Sequence, residues 1–163
     1  LDVAIVGGGP AGLALALSLK GKGLSVRVFE STAEVKERGS AVFLQPIGMA
    51  ALEEMKAGLA QEMIDAGRVI ECIHLMRATT GETIYRLNIS GMKEAFGYPF
   101  IGITRYTLQR VLMSHLEESD VVLSCQLEGL SVDEGPEGLV ELRFAGRDVP
   151  ARARTVIGAD GRR

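Results

Sequence analysis

Positive charge is not in surplus in this sequence: 18 lysines and arginines face 21 aspartates and glutamates, for a net charge of −3. A chain without a basic footprint has no electrostatic hold on nucleic acid, so that class of partner is set aside. Long apolar runs are missing too. The most hydrophobic stretch, residues 11–19, is interrupted by Ser18 and followed by Lys20 and Lys22. A bilayer span needs about 20 apolar residues in succession, so no transmembrane segment is read here. Cysteine is scarce: Cys72 and Cys125 are far apart, with no CxxC spacing and no metal-ligand pattern around either. Both have apolar neighbours and read as buried free thiols, as expected in a reducing compartment.

What is present is ordinary globular composition, 47% hydrophobic and 24% charged, in a chain long enough for one core. No repeat, low-complexity tract or linker interrupts it. The chain begins at Leu1 rather than Met and ends on Arg162-Arg163 directly after a turn. It reads as excised from a longer polypeptide, whose targeting segment would be missing. The default compartment is the cytoplasm, with a plastid or mitochondrion open to it if a leader has been removed.

Residues 2–6 are almost wholly apolar, as in a parallel strand buried on both faces. A helix is expected over 10–21, with Pro10 in its first turn, where a missing N–H costs nothing. Gly21 and Gly23 stop it, and residues 25–29 form a second strand ending in Glu30. This is a β-α-β unit with a right-handed crossover. Residues 31–45 read as charged loop. Met49, Leu52, Met55 and Leu59 suggest a helix, with a second short one near 60–66. Residues 69–77 and 82–88 form a strand pair around Thr80-Gly81. A short strand at 101–104 leads into a helix over 106–117, on which Leu108, Val111, Leu112 and Leu116 share one face. Short strands follow at 121–125, 127–133, 138–144, 147–153 and 155–159. The fold class is α/β with an antiparallel excursion.

Three blocks carry chemistry. The first is Gly7-x-Gly9-x-x-Gly12, placed between a strand and a helix and followed eighteen positions later by Glu30. Gly7 permits the tight turn, Gly9 lets a pyrophosphate touch the backbone, and Gly12 lets helix and strand pack closely. The helix N-terminus offers N–H groups and a partial positive charge to phosphates. Glu30 can accept bonds from both ribose hydroxyls and repels a 2′-phosphate, which favours FAD or NAD over NADP at this site.

The second block is Thr104-Arg105-Tyr106-Thr107-Leu108. A cation at a helix start opposes the macrodipole, which makes sense if Arg105 holds a phosphate; an exposed arginine tolerating the penalty is the other reading. Arg110 reads as a solvated face residue. The third block is Val156-Ile157-Gly158-Ala159-Asp160-Gly161, a strand ending in the kind of turn where open α/β sheets place ligand contacts. Asp160 can bond a cofactor hydroxyl and Gly161 can donate its N–H to a phosphate, or the pair is a plain Asp-Gly turn.

In this order and spacing the three blocks resemble the group A flavoprotein monooxygenases, the family of para-hydroxybenzoate hydroxylase, salicylate hydroxylase and zeaxanthin epoxidase-like enzymes. The matching stretches are GGGPAG with Glu30, RYTLQRVL, GADGRR and, in altered form, GSAVFLQPIG at residues 39–48, where Ile47 replaces the usual asparagine. The resemblance implies a Rossmann-like, glutathione-reductase-like FAD-binding fold with a parallel sheet and a β-meander. Residues 1–163 would be a fragment of the FAD-binding domain, with about 69–103 beginning an antiparallel substrate-side sheet. The family's later Gly-Asp-Ala motif is absent.

By the same resemblance, Gly7, Gly9, Pro10, Ala11 and Gly12 face the FAD diphosphate and Glu30 the adenosine ribose. Arg38 and Arg105 line the phosphates and ribityl chain. Asp160 serves both FAD and a transiently bound NADPH or NADH, and Gly161 beside it is cofactor-binding. The implied activity is that of an NAD(P)H-dependent monooxygenase, in which reduced flavin and dioxygen give a C4a-hydroperoxide that hydroxylates or epoxidises a small organic substrate. The hard chemistry is then the cofactor's, and the sequence accordingly offers no Ser-His-Asp set and no metal site. The fragment alone is expected to be inactive.

The remaining candidates read as structural. His115 falls on the apolar side of its helix as a packing residue, and His74 has no assigned role. Glu53-Glu54 and Glu117-Glu118 read as solvated faces. Tyr98 and Phe100 either line a substrate pocket or pack in their loop. Two other functions stay open: an FAD-dependent reductase or dehydrogenase of the same fold, and a non-catalytic nucleotide-binding module. A disulfide reductase would need a CxxxxC pair near residues 40–50, which is absent.

Overall fold

The structure is a computed structural model that describes residues 1–37, 41–132 and 138–161. The chain divides into two compact units, Leu1–Arg38 with Leu108–Arg163, and Gly39–Thr107.

The first unit is built on β1 (Val3–Val6), α1 (Pro10–Lys20) and β2 (Val26–Phe29). β1 pairs in parallel with β2 on one side and with β12 (Thr155–Gly158) on the other. β8 (Val121–Val122) extends the sheet beyond β2, giving the order β12-β1-β2-β8. Successive side chains of a strand point to opposite faces, and both faces of β1 are covered. Val3 and Ile5 pack with Ala16 of α1 and with Val26 and Val28. Ala4 joins Phe29, Cys125, Leu142, Phe144 and Ala153. The last three belong to a second, antiparallel sheet of β9 (Leu127–Val132), β10 (Val140–Phe144) and β11 (Ala151–Ala153). Helix, parallel sheet and meander thus form three layers, and the Phe29 and Phe144 rings stack at 4.7 Å between two of them.

In the second unit β3 (Ala41–Leu44) and β4 (Arg68–Val69) flank β7 (Ile101–Thr104), all antiparallel. Helices α2 (Pro46–Met55) and α3 (Leu59–Ala66) bury Met49, Leu52, Leu59, Ala60 and Met63. A hairpin of β5 (Cys72–Met76) and β6 (Thr83–Asn88) and a short α4 (Met92–Phe96) complete it. α5 (Arg105–Met113) follows β7 directly; from Leu108 on it belongs to the first unit, with Leu108 and Leu112 buried.

Several expectations are corrected. Residues 41–44, read as loop, form β3, because Ile101–Thr104 supplies a partner far along the chain. Leu59 opens α3 instead of closing α2. The strand expected at 69–77 is two strands, since Arg68–Val69 pairs with β7 and Cys72–Met76 with β6. α5 ends at Met113 rather than 117. The Ser114 hydroxyl donates to the Val111 carbonyl, and the His115 and Leu116 N–H groups reach back only three residues, which tightens the helix end. Leu116 still packs against the α1 layer. Cys125 is buried as expected, whereas Cys72 is only half-buried and accepts a contact from Arg86 Nε at 3.2 Å. Among the described residues no helix is long and apolar enough to cross a membrane.

Candidate functional site

β1, β2 and β12 run in parallel, so their C-terminal ends share one edge of the sheet. The chain leaves β1 toward β2 on one side and returns as β12 on the other, which makes the β1–β12 border the switch point where such sheets take ligands. The three loops at this edge are tied together by backbone bonds. The Gly7 N–H donates to the Phe29 carbonyl at 2.8 Å, and the Ala159 N–H to the Val6 carbonyl at 2.7 Å. The Glu30 N–H donates to the Val122 carbonyl at 2.9 Å.

Gly7 has φ of +113°, and a Cβ there would lie 2.4 Å from the Ala159 carbonyl oxygen. The turn that opens the first block and the turn of the GADG block are therefore in backbone contact, and no side chain fits between them. Gly12 meets a similar limit: its Cβ would lie 2.1 Å from the Gly7 carbonyl oxygen. This is the close helix–strand packing that the GxGxxG spacing predicts. Gly9 is the N-cap of α1 without any side-chain cap, and Pro10 follows at the first turn. Backbone N–H groups in a helix's first turn have no partner within the helix, and Ala11 is exposed there.

Glu30 reaches back over this loop. Its Oε2 accepts the Gly8 N–H at 2.6 Å, and its Oε1 accepts the Thr32 N–H at 2.9 Å and the Ser31 hydroxyl at 3.1 Å. Burial pushes the Glu30 carboxyl up, but the bonds from the Thr32 and Gly8 N–H groups and from the two hydroxyls outweigh it. The carboxyl is held below its ordinary range. An ionised carboxylate held by these donors is a fixed negative point at the loop's rim.

The expected site residues thus fall into three groups. Gly7, Gly9, Pro10, Ala11, Gly12, Glu30, Asp160 and Gly161 stand at one sheet edge of the first unit, the last two exposed and Gly161 at φ +81°. Arg105 is the first, exposed residue of α5 and belongs to the second unit, where the Thr104 hydroxyl accepts the Thr107 N–H at 3.0 Å. Arg38 lies outside the described residues. Phe100 packs beside Phe43, centroids 5.6 Å apart, and His74 is exposed.

One residue of the site was not anticipated. Gln109 donates from Nε2 to the Gly8 carbonyl at 2.9 Å. The available signal was its position between Leu108 and Leu112, a long polar side chain on the margin of an apolar stripe. Its partner, 101 positions away, has no signature in sequence.

The arrangement fits the diphosphate of a dinucleotide: bare backbone at the switch point, a helix N-terminus behind it, and a carboxylate at the end of the second strand. Comparison with known proteins agrees. The profile of the family described as "FAD binding domain" matches residues 1–163. The chain is 30% identical over its whole length to aurachin C monooxygenase/isomerase of Stigmatella aurantiaca, and covers 41% of that protein. It is 33% identical over 99% of its length to 3-amino-4-hydroxybenzoate 2-monooxygenase of Streptomyces cremeus, of which it covers 40%. Among solved structures, p-nitrophenol 4-monooxygenase PnpA of Pseudomonas putida DLL-E4 superposes with a TM-score of 0.83 at 26% identity, over 98% of this chain and 40% of that one. The chain therefore spans about two fifths of the length of the curated relatives it matches. It belongs to the FAD binding domain family and is homologous to the FAD-binding region of the group A flavoprotein monooxygenases.

Proposed function

We propose that the protein to which these residues belong is an NAD(P)H-dependent FAD monooxygenase that hydroxylates or epoxidises a small organic molecule with dioxygen. The observation that carries the reading is the contact of the Gly7 turn with Ala159, which brings the GxGxxG loop, Glu30 and the GADG turn to one switch point. The names of its relatives, monooxygenases acting in one case on 3-amino-4-hydroxybenzoate, support the reaction class.

In this reading Gly7, Gly9, Pro10, Ala11 and Gly12 receive the FAD diphosphate on backbone N–H groups and the α1 N-terminus. Glu30 takes the adenosine ribose. Its carboxylate is already engaged by Gly8, Thr32 and Ser31, so a ribose hydroxyl would bond Oε2 beside the Gly8 N–H or displace one of the hydroxyl donors. Arg38 and Arg105 balance the phosphate charge along the ribityl side. Asp160 and Gly161 orient the cofactor and admit the nicotinamide. When bound, the flavin supplies the redox chemistry and the activation of dioxygen; the chain supplies binding and orientation.

Residues 1–163 form the FAD-binding part in this account, with about 69–103 beginning the substrate-side sheet. The hairpin supports that assignment: Ile73 pairs with Leu87 and Leu75 with Tyr85, and all four are exposed. A strand pair with such an apolar face calls for a covering layer.

The test is substrate-dependent oxidation of NADPH or NADH by the full-length protein, followed with an oxygen electrode. The expected outcome is oxygen uptake matched one-to-one by an oxygenated product. Nicotinamide oxidation that proceeds unchanged without oxygen, using another acceptor, would replace the monooxygenase by a reductase.

A further inference from the structure

We propose that Gln109 is a positioning residue for the diphosphate loop, acting through the Gly8 carbonyl; the inference rests on the reading that this loop receives a dinucleotide diphosphate.

A run of three glycines has more conformational freedom than any other tripeptide, yet a phosphate site works only if its N–H groups face the anion and its carbonyls do not. Gly8 is the middle residue and the one that the GxGxxG spacing leaves undefined. Both of its backbone groups are held. Its N–H donates to Glu30 Oε2 at 2.6 Å, and its carbonyl accepts from Gln109 Nε2 at 2.9 Å. The two peptide planes that meet at Gly8 are therefore fixed by side chains from two different elements, the end of β2 and α5. On the Glu30 side there is no slack, since a Cβ on Gly8 would approach the Glu30 Cβ to 3.0 Å.

The carbonyl is the half that matters for an anion. A carbonyl oxygen turned toward a diphosphate repels it, and an unpaired one in this part-buried setting would be drawn to any donor, including the loop's own N–H groups. Gln109 removes that alternative by supplying a donor of its own. The residue type suits the task. A leucine has no donor, and a lysine or arginine would add a charge beside Glu30 and compete for its carboxylate. A neutral amide holds the carbonyl and leaves the field of the loop unaltered. Gln109 is half-buried on α5, one residue after the buried Leu108, so its reach is set by a packed helix.

The test compares full-length wild type with Gln109→Met, which keeps length and loses the donor, and Gln109→Leu as a second variant should the first fold poorly. Two measurements are made. Hydrogen exchange without ligand should accelerate over residues 7–12 in the variants and stay unchanged over Val3–Val6. Titration with FAD, ADP and adenosine should show dissociation constants raised about 3- to 10-fold for FAD and ADP and unmoved for adenosine, which has no diphosphate. Equal exchange over residues 7–12, or a loss shared by all three ligands, would overturn the positioning role. Should wild type itself take up neither FAD nor ADP, the diphosphate reading fails before any substitution is made, and this inference falls with it.

Discussion

Glu30 is where local chemistry departs furthest from what a motif conveys. An acidic residue after the second strand is expected to meet a ribose, and in this fold it first braces the loop in front of it. Oε2 holds the Gly8 N–H while Oε1 holds Thr32 and Ser31. Replacing Glu30 with alanine thus removes a loop support and, in the proposed reading, a ligand contact as well. Charged hydrogen bonds contribute roughly 1.5–3 kcal/mol, so Glu30→Ala is expected to weaken FAD binding by about 10-fold or more, read by flavin fluorescence titration; unchanged affinity would remove Glu30 from the site. The same residue sets a pH dependence. Its carboxyl is held below the ordinary value of 4.5 by its donors, against the opposing effect of burial. A group depressed in the folded state contributes fully above its unfolded value and loses that contribution as pH falls through the folded one. The Glu30 contribution to folding stability should therefore be flat above 4.5 and be lost as pH falls below it, a loss read by urea unfolding against pH and absent in Glu30→Ala.

Among the elements, α1 and the segment after α5 are joined by one buried acid. Asp120 accepts a charged bond from Lys20, in the last turn of α1, and the Glu117 N–H at 2.8 Å. With Glu117 it forms the reciprocal cap of the 3₁₀ turn Glu118–Asp120, just before β8. Asp120 is 7% exposed, so its oxygens meet these partners in place of water. Asp120→Ala is expected to destabilise the fold by about 1.5–3 kcal/mol, measured by urea unfolding, with Asp120→Asn losing less because it keeps an acceptor for Glu117. Equal stability of all three would mean that the ion pair holds nothing. Element by element, legibility followed the range of the interactions. β1, α1 and β2 were readable because their apolar runs and glycine punctuation are local, and the β5–β6 hairpin because its turn is. β3 was not, since Ala41–Leu44 is half-exposed in a charged stretch and owes its pairing to residues 101–104. α5 was read too long because the Ser114 hydroxyl competes with the helix for a carbonyl. The glycines, Glu30 and Asp160 were singled out by spacing and stand at one sheet edge, whereas the Gln109–Gly8 bond spans 101 positions and leaves no periodic trace.

For the whole molecule, the family is established by a match over all of residues 1–163, and the central physical claim is narrower: the bare turn after β1 exists to admit a flavin dinucleotide's diphosphate. The parallel order β12-β1-β2-β8 creates the switch point. The contact between Gly7 and Ala159 closes it at the base, and the uncapped start of α1 supplies the donors. The exposed hairpin face of Ile73, Leu75, Tyr85 and Leu87 is the apolar surface that the full-length protein is proposed to cover. The most direct measurement is calorimetric titration of FAD into that protein after flavin removal, with ADP as competitor. One FAD bound per chain, displaced by ADP and accompanied by a raised melting temperature, is the predicted result. No heat, no displacement and an unmoved melting temperature would contradict it.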